Sequence, residues 1–325
     1  MVGPATGVRP IDAETPVSPF GVSAPRLDPA KFGDPAWTAK GEARASVALR
    51  GLETLWFNTG TLCNLACRNC YIESSPTNDA LAYLTLADVE SYLAEIAREG
   101  LPVAEIGFTG GEPFLNREAP AMIARCLDAG YRVLVLTNAM RPMRRFEAAL
   151  LDLPRERLTF RVSLDHYSAA VHDAERGAGS FAIALEGVRW LAANGFAIAI
   201  AGRHLGGESE DAARAGYAAL FAGLGLPVPP LVLFPEMDAG ADVPEITTAC
   251  WGILGVSPDD LMCATARMVV RRRGAAGPVV LACTLLAYEA EFELGRTLAE
   301  AGRPVALNHP HCARFCVLGG ASCSG

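Results

Sequence analysis

From Leu52 onward, the chain alternates short apolar runs with amphipathic segments long enough to form helices. This alternation is typical of parallel strands joined by helical crossovers. We predict strands over residues 54–58, 103–108, 132–136, 158–163, 197–201 and 231–234. Helices are predicted over 85–99, with Thr85 as N-cap, and over 117–129. Six strand-helix repeats favour an α/β fold with an open, partial (β/α)6 TIM-like barrel over a closed eight-stranded barrel.

Polar residues follow the carboxyl ends of these predicted strands. They are Thr109-Gly110-Gly111-Glu112-Pro113, Thr137-Asn138, Ser163-Leu164-Asp165, Gly202-Arg203-His204 and Pro235-Glu236. In a barrel of parallel strands, the carboxyl ends form the face on which catalytic groups collect. We therefore expect these residues to surround one site.

Three cysteines follow the first predicted strand. Cys63, Cys67 and Cys70 lie in one short segment, so their thiols can converge on a single metal centre. Iron-sulfur clusters take Cys thiolate ligands, and a four-iron cubane bound by only three of them keeps one iron open for another ligand. A structural zinc site normally has four N or S ligands, so it fits this spacing less well. Zinc and buried structural thiols are the alternatives.

The CxxxCxxC spacing and the later Gly-Gly-Glu-Pro element resemble the signature of the radical S-adenosylmethionine (SAM) enzymes. In that family, three cysteines hold a 4Fe-4S cluster that binds SAM, and reductive cleavage of SAM yields a 5'-deoxyadenosyl radical that abstracts hydrogen from a substrate. The resemblance implies that Cys63, Cys67 and Cys70 are the cluster ligands. It also implies an electron donor such as a reductase or a flavodoxin. The family often has an aromatic residue or His before the third cysteine; here Asn69 takes that place, and Tyr71 is the expected substitute for contact with adenine.

The same resemblance implies which residues contact the methionyl ammonium of SAM. Gly110, Gly111, Glu112 and Pro113 match the family's GGEP element. Glycines let the backbone approach a ligand closely, and a carboxylate attracts an ammonium group. An ordinary turn between strand and helix is the alternative.

Later strand ends resemble further SAM-binding elements of the family. Thr137-Asn138-Ala139 resembles the TNG element, with Asn138 facing the cofactor. Ser163, Asp165 and Arg176 match the SLD...HD..RG segment of the branch that carries auxiliary clusters, in which Ser and Asp lie near SAM and a basic residue pairs with its carboxylate. Arg203 is a second candidate for that pairing, because a guanidinium binds a carboxylate through two hydrogen bonds. Ordinary ion pairs are the alternative for both arginines.

Other polar residues near strand ends carry weaker predictions. We expect the three histidines to be structural or exposed rather than proton carriers; they are His166, His172 and His204. Glu236 and Asp238 lie where a substrate would bind, with a solvated loop as the alternative. Cys126 lies among apolar residues of a predicted helix, so we expect it in the core.

A second group of cysteines lies near the carboxyl end. Cys263 and Cys283 flank a predicted hairpin over residues 264–282, so their thiols lie at its open end. Together with Cys312, Cys316 and Cys323, this layout resembles the SPASM and twitch extensions of radical SAM enzymes. The resemblance implies one auxiliary 4Fe-4S cluster on four of these five thiols, with Cys312 as the expected spare. Zinc is the alternative, because a closed four-thiolate site suits either metal.

The predicted domain organisation has three parts. Residues 1–50 form an irregular N-terminal arm with a short helix expected over 36–52, residues 51–240 the radical SAM core, and residues 241–325 the auxiliary cluster domain. In relatives with such extensions, the auxiliary cluster accepts an electron from the product radical or anchors substrate, and the substrate is a ribosomal peptide or a small metabolite. No winged-helix-like peptide-recognition domain is evident in the first 50 residues, which favours a small molecule or a peptide presented by a partner protein. A non-catalytic iron-sulfur or zinc-binding scaffold, or an electron carrier, is the second hypothesis.

Composition limits the partners. A net charge of -8 argues against a nucleic-acid backbone as the main partner. The sequence shows neither the pattern of a signal peptide nor an apolar run of membrane-spanning length. We therefore expect a cytoplasmic protein without a membrane partner, whose reduced cysteines serve as metal ligands rather than disulfides.

Overall fold

A computed structural model describes residues 26–205, 207–236 and 240–320. The strands in these ranges are β1 (Ser46–Val47), β2 (Thr54–Asn58), β3 (Leu81–Ala82), β4 (Glu105–Thr109), β5 (Arg132–Thr137), β6 (Leu158–Ser163), β7 (Ala197–Arg203), β8 (Leu231–Phe234), β9 (Ala266–Arg272), β10 (Val279–Leu281), β11 (Glu293–Gly295) and β12 (Val305–Ala306). The helices are α1 (Leu86–Glu99), α2 (Ala119–Asp128), α3 (Arg141–Arg144), α4 (Glu147–Leu151), α5 (Ala169–Arg176), α6 (Ser180–Ala193), α7 (Glu210–Gly223) and α8 (Cys250–Leu254), and a π-helical segment covers Cys312–Val317.

Six parallel strands form the centre of the molecule, in the order β2-β4-β5-β6-β7-β8. Each strand lies beside the next one along the chain, and a crossover that contains at least one helix connects each pair. Within the described residues the sheet does not close on itself. The predicted α/β fold with a partial barrel is therefore confirmed.

The local patterns explain where these elements begin and end. All five residues of β2 are buried, as expected for a strand covered on both faces. The helix α1 begins at Thr85 as predicted: the Thr85 hydroxyl accepts a hydrogen bond from the Asp88 backbone N–H at 3.2 Å, and the Asp88 carboxylate accepts one from the Thr85 N–H at 2.9 Å. This reciprocal capping box satisfies two backbone donors that a helix start leaves without partners.

The C-terminal hairpin extends the barrel sheet. β9 and β10 pair antiparallel, as the sequence predicts. β9 also pairs parallel with β2, with Thr54 opposite Ala266, so the hairpin is hydrogen-bonded to the first barrel strand. The ten-stranded sheet therefore continues from the barrel into the cysteine-rich segment.

The described part of the N-terminal arm is extended, and the helix expected over residues 36–52 is wrong. β1 pairs antiparallel with β12. The Ala45 N–H donates to the Ile246 carbonyl at 2.9 Å, and the Ala45 carbonyl accepts from the Leu307 N–H at 3.0 Å. These long-range partners satisfy backbone groups that a helix would pair internally, so tertiary pairing overrides local preference. The arm thereby joins the C-terminal segment.

Among the described helices, none has the length and apolar character needed to cross a membrane.

Candidate active site

A cavity of about 1210 Å³ lies at the carboxyl ends of the barrel strands. Its wall includes eleven of the residues expected from the sequence to surround one site, namely Cys63, Cys67, Cys70, Tyr71, Gly110, Gly111, Asn138, Ser163, Asp165, Arg176 and Arg203. Glu112 and Pro113 are buried and do not line this cavity. The barrel thus brings most of the predicted residues together, although they span about 140 positions of the chain.

Hydrogen bonds to α5 and to a neighbouring loop hold the cysteine segment in place. The Cys63 N–H donates to the Ser75 carbonyl at 3.0 Å, and the Arg68 N–H donates to the Glu175 carbonyl at 2.9 Å. The Asn69 side-chain amide donates to the Glu175 carboxylate at 2.5 Å. Asn69 therefore ties the cysteine segment to α5 instead of facing the cavity.

Tyr71 does line the cavity, as expected from its proposed contact with adenine. Its hydroxyl shares a hydrogen bond with the Thr109 hydroxyl at 3.1 Å. This contact links the cysteine segment to the carboxyl end of β4.

Two thiols of the cysteine segment, those of Cys63 and Cys67, have raised pKa values. Burial raises the pKa of Cys63 to about 12. Burial also raises the pKa of Cys67, and the nearby positive charge of Arg176 acts in the opposite direction. A metal that binds these sulfurs must displace their protons, so binding at this site is coupled to proton release.

Spacing between the sulfurs matters for the kind of metal. No group of three or more His, Cys, Asp or Glu side chains within the described ranges lies close enough to hold one metal ion. The ligands of a four-iron cubane each bind a different iron atom, so their sulfurs lie farther apart than ligands around one ion. Cys63, Cys67 and Cys70 line one cavity, as the three ligands of such a cluster would.

Gly110 and Gly111 are required by the cysteine segment itself. A Cβ on Gly111 would lie 2.2 Å from the Leu62 carbonyl oxygen, and Gly110 has a φ of 139°. The Gly111 N–H donates to the Gly60 carbonyl at 2.8 Å. From the sequence, these glycines were expected to let the backbone approach a ligand closely. In the structure, the backbone just before Cys63, at Gly60 and Leu62, occupies the space on their Cβ side.

Glu112 connects the ends of β4 and β5. Its carboxylate accepts hydrogen bonds from the Thr137 hydroxyl at 2.8 and 3.0 Å, from the Asn138 N–H at 2.9 Å and from the Phe114 N–H at 3.2 Å. Burial raises the pKa of Glu112 to about 7, although these hydrogen bonds act in the opposite direction. The Asn138 side chain in turn donates to the Asn64 side-chain oxygen at 2.9 Å, which extends the connection to the cysteine segment.

Asp165 lies between two arginines in the cavity wall. Arg176 donates to it through Nε at 2.7 Å and Nη2 at 3.0 Å, and the Arg203 Nε lies 3.3 Å from its Oδ1. Burial alone would raise the pKa of Asp165, but the charges of Arg176 and then Arg203 outweigh it and lower the pKa. Arg176 is therefore occupied by a bidentate pair, whereas the Nη atoms of Arg203 make no hydrogen bond to the described residues.

Several residues of the wall were not expected from the sequence. These include Arg161, Phe234, Met262, Leu285 and Phe315, and Cys316 was expected only as a ligand of the auxiliary cluster. Arg161 had a signal: it is a charged residue inside an apolar strand, two positions before Ser163 and hence on the same face of β6. Met262 and Phe315 come from the C-terminal segment, and no local pattern shows that this segment reaches the barrel.

The weaker predictions have mixed outcomes. Among the described residues, the cavity wall includes none of the histidines and not Glu236. His172 is fully buried, and burial lowers its pKa to about 4. His166 stacks on Tyr167 with ring centroids 4.1 Å apart. Asp238 lies outside the described residues.

A second cavity, of about 300 Å³, lies in the C-terminal segment. Four thiols line it together with aliphatic side chains, and the four are Cys263, Cys283, Cys312 and Cys316. Cys312 was the expected spare ligand but is a full member of this group, while Cys323 lies outside the described residues. Cys316 and Met262 line both cavities, so the two cavities adjoin. Cys126, by contrast, is buried in the hydrophobic core as expected.

Two thiols of the second cavity, those of Cys263 and Cys312, also have raised pKa values. Burial raises the pKa of Cys263 to about 11 and that of Cys312 well above the ordinary value of a thiol. The fully buried side chain of Arg267 lies beside them. Burial lowers the pKa of Arg267, and the nearby Cys263 and Cys283 act to raise it.

Comparison with known proteins identifies the class. Residues 57–215 match the family model of the Radical SAM superfamily. The match assigns residues 57–215 to that superfamily, whose members bind a 4Fe-4S cluster and SAM.

Sequence relatives include a bacteriocin biosynthesis protein and a maturase. The antilisterial bacteriocin subtilosin biosynthesis protein AlbA of Bacillus subtilis is 32% identical over 140 residues, which cover 43% of this chain and 30% of AlbA. Mycofactocin maturase MftC of Mycobacterium ulcerans is 33% identical over 153 residues, covering 46% of this chain and 40% of MftC. The chain thus matches less than half of the length of these relatives.

Solved structures share the fold. SuiB of Streptococcus suis bound to S-adenosylmethionine has a TM-score of 0.57 at 12% identity, covering 76% of this chain and 63% of SuiB. The anSMEcpe structure with bound AdoMet has a TM-score of 0.56 at 15% identity, covering 77% of each chain. The chain therefore shares the partial-barrel fold of these two structures.

Proposed function

We propose that this chain cleaves SAM reductively at a 4Fe-4S cluster on Cys63, Cys67 and Cys70 and abstracts a hydrogen atom from a peptide substrate. The observation that carries the proposal is the single cavity that combines the three thiols, the Gly110-Gly111 turn and the strand-end arginines. A reduced cluster with bound SAM supplies a 5'-deoxyadenosyl radical in this superfamily. The residues of the chain bind and orient SAM and substrate beside it and exclude water.

Arg203 is our candidate for the SAM carboxylate. Arg176 already donates two hydrogen bonds to Asp165, whereas Arg203 lines the cavity with its Nε 3.3 Å from the Asp165 Oδ1. Its Nη atoms can form the parallel pair of hydrogen bonds that a carboxylate accepts. Asp165 then orients Arg203 and offsets part of the positive charge, and Ser163 lies on the same strand end toward the ribose.

The GGEP element acts in this proposal mainly through its backbone. Gly110 and Gly111 line the cavity and contact the methionyl part of SAM with main-chain groups, while Glu112 anchors Thr137 and Asn138 from behind. Asn138 faces the cofactor, and Tyr71 contacts the adenine. Pro113, the last residue of the element, begins a short helical turn, and its ring fixes the backbone direction at the start of that turn.

A peptide substrate is supported by the relatives. SuiB has been solved bound to the precursor peptide SuiA, and AlbA takes its name from the biosynthesis of a bacteriocin. A small molecule is the alternative from the sequence.

The second cavity is proposed to hold an auxiliary 4Fe-4S cluster on Cys263, Cys283, Cys312 and Cys316. Four thiols around one apolar space match the ligand set of a closed cubane. Because Cys316 also lines the first cavity, this cluster would lie next to the substrate. An external reductase or flavodoxin-type donor would supply the electron for SAM cleavage.

A cleavage assay with matched cysteine variants tests the catalytic proposal. We expect the reconstituted chain, given dithionite and SAM, to release 5'-deoxyadenosine. Cys67→Ala should release none, whereas Cys126→Ala, which removes a thiol from the core away from both cavities, should retain release. Cleavage by Cys67→Ala would overturn the ligand assignment, and absence of cleavage in all three proteins would favour a non-catalytic scaffold or electron carrier.

Isotope transfer tests the substrate. Peptide and small-molecule fractions from cells grown in heavy water are each supplied to the enzyme, and deuterium in the released 5'-deoxyadenosine is measured by mass spectrometry. Transfer from the peptide fraction is expected. Transfer from the small-molecule fraction alone would replace the peptide by a metabolite.

A further inference from the structure

Arg267 is a buried cation that has only neutral hydrogen-bond partners. It lies on β9 with no exposed surface. Its guanidinium donates to the backbone carbonyls of Cys263 at 2.6 Å, Ala266 at 2.8 Å, Ala301 at 2.9 Å and Arg303 at 3.3 Å. No carboxylate among the described residues lies within ion-pair distance of it. Burial of an unpaired charge costs several kcal/mol, so this arrangement requires a negative partner.

A second buried arginine, Arg44, has a carboxylate as its partner. Arg44 also donates to three backbone carbonyls, and its side chain is fully buried. Unlike Arg267, Arg44 also forms an ion pair, with its Nη2 2.6 Å from the Glu245 Oε1. The same fold therefore places a carboxylate beside one buried guanidinium and the backbone of a thiol-bearing residue beside the other, because Arg267 donates to the Cys263 carbonyl.

We propose that Arg267 is the counter-charge of an anionic metal-thiolate centre in the second cavity and a positioning residue for its ligand Cys263. This inference rests on the proposed auxiliary cluster. A cubane with four thiolate ligands carries net negative charge, and a fixed cation beside it supplies the partner that the protein otherwise lacks. The hydrogen bond from Arg267 to the Cys263 carbonyl also holds the backbone of that ligand.

The counter-charge has a measurable consequence. Reduction adds one electron and makes the centre more negative, so a nearby cation stabilises the reduced form more than the oxidised form. Net charge and hydrogen bonding near a cluster set its reduction potential. Removal of the positive charge is therefore expected to shift the potential to a more negative value.

The experiment uses the full chain with Cys63, Cys67 and Cys70 replaced by Ala, so that only the second cavity can hold iron. Iron, sulfide and zinc are quantified after anaerobic reconstitution, and the midpoint potential is measured by EPR-monitored titration. Arg267→Met removes the charge, Arg267→Lys keeps it with fewer hydrogen bonds, and Arg44→Met is the matched control. We expect a more negative potential for Arg267→Met, a potential near the parent for Arg267→Lys, and no shift for Arg44→Met.

Each result decides the proposal. An unchanged potential in iron-loaded Arg267→Met overturns it, as does loss of iron from both Arg267 variants, because the hydrogen-bond geometry rather than the charge would then be responsible. Loss of iron from Arg267→Met with retention in Arg267→Lys supports the counter-charge role. A parent chain that holds zinc or no metal would contradict the auxiliary iron-sulfur cluster itself, which separates failure of the proposed function from failure of this inference.

Discussion

The two cavities contain the same type of metal-ligating side chain in different surroundings. The first has Cys63, Cys67 and Cys70 beside arginines, hydroxyl groups and main-chain groups at the strand ends, and Cys316 reaches it from the C-terminal segment. The second has four thiols beside aliphatic side chains and measures about 300 Å³. A cubane on three thiolates leaves one iron for a ligand, whereas four thiolates close the centre. The arginines and main-chain groups beside the first set of thiols therefore favour the first cavity as the place where SAM and substrate bind.

The anchoring of the two ligand sets differs as well. The first three cysteines lie on one loop that donates hydrogen bonds to α5 and accepts them from the Gly110-Gly111 turn. The four thiols of the second cavity come from a hairpin and a π-helical segment that are far apart in sequence. The first set can be recognised from local spacing, while the second requires the tertiary fold.

The largest expected effect separates the two cavities by iron content. Cys312→Ala should remove roughly four irons from the reconstituted chain and leave SAM cleavage intact, because the first cavity keeps its three thiols. Iron and sulfide analysis with the 5'-deoxyadenosine assay checks this, and Cys126→Ala serves as the control. Retention of both clusters would mean that Cys312 is the spare thiol after all and that Cys323 takes its place.

A glycine variant tests whether the cysteine segment depends on close backbone packing. Gly111→Ala places a Cβ 2.2 Å from the Leu62 carbonyl, so the segment must shift. We expect a loss of about 2–3 kcal/mol in the free energy of unfolding, measured by urea titration, and loss of the SAM-responsive EPR signal. Gly223→Ala, with open space at the end of α7, should be neutral or slightly stabilising. Equal behaviour of the two variants would contradict the packing argument.

Glu112 makes the free energy of unfolding of the chain depend on pH. Its pKa is raised from 4.5 to about 7 by burial, so the folded state holds the proton more tightly than the unfolded chain. The stabilisation is complete below pH 4.5 and is lost as the pH rises through about 7; it amounts to about 3 kcal/mol at most. Glu112→Gln should remove this loss. Urea unfolding of the metal-free chain between about pH 4.5 and pH 8 measures it, with Glu186→Gln as a surface control. Parallel profiles for Glu112→Gln and the parent would disprove the assignment.

The smallest effect concerns Ala139, which has a φ of 57°. Ala in the left-handed region is strained, and glycine relieves the strain, so Ala139→Gly should stabilise the chain by about 0.5–1 kcal/mol. Ala215→Gly in the exposed middle of α7 is expected to destabilise by about 1 kcal/mol. Thermal unfolding of both variants distinguishes them; a destabilised Ala139→Gly would contradict the strain argument.

The sequence predicts local features of this molecule better than long-range ones. Strand bounds such as Thr54–Asn58 and the capping box at Thr85 follow from short-range patterns, and so does the spacing of the three cysteines in the first cavity. The left-handed φ of Ala139 agrees with the TNG element that residues 137–139 resemble, because that element has glycine at this position. These features depend on neighbours that are close along the chain.

What the sequence does not reveal depends on contacts between distant segments. The pairing of β9 with β2 and the burial of Glu112 behind the wall depend on such contacts. The entry of Phe315 into the first cavity is a further example. The expected helix over residues 36–52 failed for the same reason, since β1 finds its hydrogen-bond partner more than 250 residues later.

Metal analysis of the intact chain tests the central claim most directly. The chain is reconstituted anaerobically, iron, sulfide and zinc are quantified, and EPR spectra of the reduced protein are recorded before and after addition of SAM. Roughly eight irons per chain, with one cluster signal changed by SAM and one unchanged, are predicted for an open and a closed cubane. About four SAM-responsive irons with one zinc would make the second cavity structural, and the absence of iron and of any response to SAM would contradict the account.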